Sequence, residues 1–181
     1  MKKRIANLLV KFLLLADSDR KSNLFNILRK ESLNKTYNGY REKYSLSNTF
    51  RFNGIDILFY GSGDIICGEN SYIGNYSTIQ ASENNKVVIG DNCAISHNVR
   101  IYTASNVSNQ NLNSAGLKQK IEGDVVIGNG VWIGANVFIN QAVTIGDNAV
   151  VGSNSVVTKS IEANAIYGGV PAKLIKMKSY E

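Results

Sequence analysis

A chain of 181 residues, 44% hydrophobic and 19% charged, has room for one or two small domains and enough apolar material for a core. Its net charge of +6 sits at one end: residues 1–51 hold 12 Lys/Arg against 4 Asp/Glu, and residues 52–181 hold 8 against 10. Two Cys, one His and no apolar run of about 18 residues exclude a disulfide scaffold, a multi-histidine metal site and a membrane-spanning helix.

Apolar residues at 5, 8, 9, 12 and 13 are spaced as on one face of a helix over residues 3–15. A second helix is expected over 20–31, with Leu24, Ile27 and Leu28 inward, and residues 33–54 read as a polar linker. The first helix is expected to cap the open end of the domain beyond residue 54. Attachment to a membrane surface through the basic N-terminus is the alternative. A nucleic-acid partner is not expected. The start weakly imitates a signal peptide, but Lys11 interrupts the apolar stretch and no small-residue cleavage site comes after it. A cytoplasmic protein, at the inner membrane surface if the N-terminus docks there, is the expectation.

Beyond residue 54 a period of six sets in. Cys67-Gly68, Ile73-Gly74 and Ile79 are followed, after a slip of four residues near Glu83–Lys86, by Ile89-Gly90, Ile95 and Ile101. Residues 104–123 are polar and lack the period, as a loop leaving one corner of a solenoid would. From Ile127 to Lys159 branched apolar residues recur at 127, 133, 139, 145, 151 and 157 without a slip. Asn or Gly stands three residues later at Gly130, Asn136, Asn148 and Asn154, and the same corner position is held earlier by Asn70, Asn92 and Asn98. Six residues fit a short strand and a corner. The Ile/Val points inward, as does the residue two places before it (Val131, Val137, Val143, Ala149, Ser155), while Asn and Gly tolerate the positive φ of the corner. Three units make one triangular turn, and turns stack at about 4.8 Å. Cys67 and Cys93 fall at inward positions and read as buried free thiols. Pro171 suits the first position of a short helix over 171–178.

The hexapeptides, with VWIGANV, VGSNSVVTK and GGVPAKLIK, resemble the galactoside, maltose and polysaccharide O-acetyltransferases of the hexapeptide-repeat superfamily over roughly residues 65–177. The resemblance implies an all-β fold: a left-handed parallel β-helix over 55–181, preceded by a basic helical segment and linker over 1–54. The hand comes from the resemblance, since general rules favour right-handed crossovers. It further implies acetyl-CoA as co-substrate, no metal, a homotrimer with sites between subunits, and a saccharide acceptor. Trp132 would lie beside the site. The Ala135 N–H would bind the thioester oxygen. Ser153, Thr158 and Lys159 would line the pantetheine arm, with Lys173 near the CoA phosphates. Asn75 and Glu83 match acceptor-holding positions more loosely. Ser153 and Thr158 also fit as ordinary corner residues, and Lys173 as a solvated lysine.

One position departs from the pattern. The family places a His in a pattern like Y-T-x-x-H, and here Ile101-Tyr102-Thr103-Ala104-Ser105 leads to Asn106. An amide does not accept the proton of a sugar hydroxyl at neutral pH. His97, the single histidine, is the fallback base, or else an ordinary surface histidine. Saccharide O-acetyl transfer is therefore the leading reading. The alternatives are a homologue with impaired catalysis, natural or engineered, and a sugar-nucleotide N-acetyltransferase. A carbonic anhydrase of the same fold is excluded, since its zinc needs three histidines.

Overall fold

The computed structural model describes residues 2–15, 17–111, 113, 116 and 118–179. The chain divides into two units, residues 1–39 and 40–181, earlier than the boundary expected after residue 54.

Helix α1 spans Lys2–Leu15 and helix α2 spans Ser18–Lys43. Asp17 caps α2, its carboxylate accepting the Arg20 N–H at 2.8 Å, so an orphan donor of the first turn is satisfied. The second helix is thus longer than expected and absorbs much of the supposed linker. Its apolar residues are not inward: Ile27 and Leu28 are more than half exposed, Leu24 is half-buried, and α2 has no buried residue. The described apolar side chains of α1 are exposed as well.

The second unit is a parallel β-solenoid of five turns, the left-handed β-helix that hexapeptide repeats form. The first sheet stacks Ser45–Leu46, Asp64–Cys67, Lys86–Ile89, Val125–Ile127 and Val143–Ile145. The second stacks Arg51–Asn53, Tyr72–Gly74, Ala94–Ile95, Trp132–Ile133, Val150–Val151 and Ala165–Gly168. The third stacks Leu58–Gly61, Thr78–Ala81, Arg100–Tyr102, Phe138–Ile139 and Val156–Val157. The first turn therefore begins inside the expected linker. Its period is irregular because Phe50, Phe52 and Phe59 replace the Ile/Val signal there.

The inward positions are those the period names. Ile127, Ile133, Ile139, Ile145, Val151 and Val157 are at most 1% exposed, and so are the residues two places before them from Val131 to Ser155. The register Ile95↔Ile133↔Val151 shows why a strict six-residue period is required: each apolar residue stacks on its counterpart one turn away. The corners obey the chemistry of Asn and Gly, with positive φ at Asn70, Asn92, Asn98, Gly130, Asn136, Asn148 and Asn154. Asn side chains also ladder along a corner, Asn98 donating to Asn136 at 2.7 Å and Asn136 to Asn154 at 3.0 Å. Ser71, Ser77 and Ser155 are fully buried, and each hydroxyl both donates to a carbonyl and accepts a backbone N–H. Cys67 and Cys93 are buried free thiols. Burial pushes both up from the ordinary thiol range.

The open end of the solenoid is closed by aromatic side chains. Tyr40 stacks on Phe59 at 5.3 Å, Phe52 meets Phe59 at 5.3 Å, and Phe50 meets Phe52 edge-on at 5.4 Å. This cap comes from the last turn of α2 and the first turn of the solenoid. At the other end the expected helix over 171–178 is instead a strand, Lys173–Met177, antiparallel to Ala165–Gly168. Gly169 reverses the chain at φ +99°, and the returning strand pairs the edge that a helix would leave open. The loop over 104–123 leaves the solenoid as a hairpin, Ala104–Asn106 antiparallel to Lys120–Glu122.

Candidate active site

The corner between the second and third sheets carries four of the expected site residues in one column. Because Ile73, Ile95, Ile133 and Val151 are in register, the residues two places after them stack: Asn75, His97, Ala135 and Ser153. The backbone joins them turn to turn, with the Asn136 N–H donating to the His97 carbonyl at 3.1 Å and the Asn154 N–H to that of Ala135 at 2.9 Å. Gly134 permits this close approach, since a Cβ there would lie 2.6 Å from the Ser153 nitrogen.

Comparison with the corner between the first and second sheets sets this column apart. There the equivalent N–H groups of Glu69, Asp91 and Asn129 donate to the carboxamide or carboxylate oxygens of Asp91, Asn129 and Asp147. In the column of His97, Ala135 and Ser153 none of the three N–H groups donates to an acceptor among the described residues, so the N–H of half-buried Ala135 remains available together with its two neighbours. Asn75 is committed elsewhere, its carboxamide oxygen accepting the Ile55 N–H at 2.7 Å. Trp132 stands outward on the second sheet between Ala94 and Val150 and is 56% exposed.

The corner between the third and first sheets carries a different group. The hairpin leaves here, and Tyr60, Gln80, Tyr102, Ala104, Ser105, Asn106 and Lys120 line a cleft of about 270 Å³. Tyr60, Gln80 and Tyr102 come directly after Phe59, Ile79 and Ile101 in register, so three successive turns present polar side chains to it. Burial, and then the neighbouring Tyr102, push the Tyr60 phenol up from its ordinary value. The Tyr102 ring stacks on Phe138 at 5.3 Å with 12° between the planes. Thr103 is fully buried, and its hydroxyl accepts the Ser82 N–H at 2.7 Å, which fixes the hairpin root. Asn106 is exposed and faces Lys120 across the hairpin. Thr158 and Lys159 are exposed at the same corner two turns on, while Glu83 lines a second cleft with Asp64, Lys86 and Asp124. Lys173 is exposed on the terminal strand, opposite Gly168.

Within one chain, then, His97, Ala135 and Ser153 come together, and Asn106 does not join them. Sequence reasoning missed Tyr60 and Gln80. Each stands one place after an inward apolar residue, and aligning that position across turns reveals the column. Among the described residues no cluster of three or more His, Cys, Asp or Glu could hold a metal.

Residues 124–159 match the family model described as bacterial transferase hexapeptide (six repeats). A hexapeptide-repeat acetyltransferase from Vibrio cholerae, solved with acetyl coenzyme A, is 28% identical over 79% of this chain and 76% of that one, with a TM-score of 0.68. A maltose O-acetyltransferase from Clostridium difficile 630 is 34% identical over 73% and 72% of the two chains, with a TM-score of 0.57. An N-acyltransferase mutant from Bacillus cereus, in complex with dTDP and coenzyme A, is 28% identical over 76% and 79%, with a TM-score of 0.61.

Proposed function

This chain belongs to the hexapeptide-repeat acyltransferases, and we propose that it moves the acetyl group of acetyl-CoA to a saccharide hydroxyl. The observation that carries the reading is the available N–H of Ala135. In the transfer the sugar oxygen bonds to the acetyl carbon, the carbon–sulfur bond breaks, the hydroxyl proton is taken up, and CoA leaves as the thiol. Negative charge gathers on the thioester oxygen as the tetrahedral centre forms. A fixed backbone donor aimed at that oxygen lowers the barrier, because it needs no reorganisation when the charge appears. Ser153, one turn on in the same column, would flank the pantetheine arm, with Thr158, Lys159 and Trp132 on the adjoining faces and Lys173 toward the phosphates. The cleft beside Tyr102 and Asn106 would take the acceptor. Its aromatic wall and polar rim suit the alternating CH and OH faces of a sugar.

Proton removal divides two readings. Asn106 stands where the family pattern has His and cannot act as a base. A chain that relies on that position binds acetyl-CoA and transfers slowly. His97 lies beside Ala135 in the corner column, which favours it as base over any group on the hairpin of the same chain. Acceptance by an amino sugar is a second reading, supported by the likeness to an N-acyltransferase. Titration calorimetry with acetyl-CoA, and thiol release over a panel of neutral and amino sugars, test the proposal. Micromolar to millimolar binding is expected, with Ser153→Trp blocking it while the circular dichroism is unchanged. Wild-type affinity in that variant would overturn the placement of the donor. Release with amino sugars alone would select the second reading.

A further inference from the structure

The described side chains of α1 are the largest exposed apolar group outside the solenoid. Leu8 is 69% exposed, Val10 54%, Phe12 45%, Leu13 43%, Leu14 74% and Leu15 85%. Successive helical residues are turned by about 100°, so Phe12 to Leu15 surround the helix axis completely. A partner helix or groove covers one stripe of a helix and leaves the rest in water. A fluid hydrocarbon layer covers all sides.

Charge indicates which layer. The first turn of α1 contains Lys2, Lys3 and Arg4, no acidic residue stands there, and no basic residue stands in the last turn. This is the reverse of what the helix dipole favours. Helix α2 obeys the dipole, with Asp19 first and Arg41 and Lys43 last. The basic turn of α1 therefore does not serve the helix, and it suits an external anion. Residues 1–51 carry a net +8, from 12 basic and 4 acidic residues. At 14 residues α1 is about 21 Å long, short of a hydrocarbon core of roughly 30 Å. No helix among the described residues is long and apolar enough to cross a membrane.

We infer that α1 docks on an anionic lipid bilayer, its apolar end entering the acyl region and its basic turn meeting the headgroups. The docking does not depend on the acyl-transfer reading. The test is flotation of the full chain with phosphatidylcholine vesicles, with and without about a third phosphatidylglycerol, at low and high salt. Roughly ten-fold more protein should float with the anionic vesicles, and salt should reduce the excess. The double variant Phe12→Asp/Leu13→Asp should lose flotation, and Lys2→Gln/Lys3→Gln/Arg4→Gln should lose the preference for anionic vesicles. Circular dichroism of each variant should match the parent, since Phe12 and Leu13 are exposed. Three results would overturn the inference. The parent stays at the bottom with anionic vesicles at low salt; Phe12→Asp/Leu13→Asp floats undiminished; or that variant changes the sedimentation coefficient without lipid, which would make α1 a contact between copies.

Discussion

Under the proposed acetyl transfer, a carboxamide at position 106 would change one step of the reaction and leave the others. Binding of the donor and stabilisation of the thioester oxygen do not depend on it, whereas removal of the acceptor proton does. Asn106→His should therefore raise turnover by about 10²–10⁴ with little change in acetyl-CoA affinity. The gain should shrink as pH falls through about 6.5, where imidazole takes a proton and ceases to be a base. If His97 already serves, the parent is fast and His97→Ala is inactive. If the parent is fast and both variants equal it, neither residue is the base. The thiols give an independent check on the interior. Burial is the first cause of the upward push on both Cys67 and Cys93, and only the thiolate is nucleophilic. At pH 8 neither should react with a thiol reagent in the folded chain, and both should react in denaturant. Fast labelling of either in the native state would contradict the inward register.

The elements of the solenoid were legible because one residue type in six is obliged to face inward. At Asn136 two demands coincide: a φ of +59° and a place in the Asn ladder. Asn136→Gly meets the first demand and loses the ladder, at about 0.5–1.5 kcal/mol. Asn136→Ala fails both, adding roughly 1–2 kcal/mol of left-handed strain. Urea melts should rank parent, Gly and Ala in that order, and an Ala variant more stable than the Gly variant would refute the corner assignment. Elements outside the period were harder to read. Pro171 favours a helix start locally, but an unpaired sheet edge recruits residues 173–177 as a strand. The first turn uses aromatic residues, whose size matches the cap and masks the period. Residues 33–43 contain Asn, Thr, Tyr and Gly, poor helix formers singly, yet they continue a helix already nucleated at Asp17. For the site, motif likeness names Ala135 and Ser153, His97 enters as the single histidine, and the three share one column by register. The cleft at Tyr60, Gln80 and Tyr102 depends on contacts between turns and so is not local in sequence.

At the scale of the whole molecule, the separation of Ala135 from Asn106 constrains the assembly. They sit at different corners of the same prism, so a site using both requires a second copy of the chain, as in the trimer expected from the family resemblance. A cyclic trimer has heterologous interfaces, and in the proposed assembly each would pair the hairpin of one copy with a corner of the next. Sedimentation equilibrium should give three times the 19.8 kDa chain mass. Mass alone does not show that the site is shared, but complementation does. One chain would carry Asn106→His together with Ala135→Pro, supplying a base and lacking the donor N–H. The other would be the parent, supplying the donor and lacking the base. Each alone should be slow. Unfolded, mixed in equal amounts and refolded together, they should form interfaces in which the introduced imidazole faces an intact Ala135. Random assembly gives roughly a quarter of such interfaces, hence roughly a quarter of the rate of the Asn106→His trimer. Mixing without unfolding should give nothing if the assembly is stable. If refolded mixtures are no faster than the sum of their parts while the single Asn106→His variant is active, base and donor belong to one chain. The corner column of His97, Ala135 and Ser153 would then have to be complete by itself.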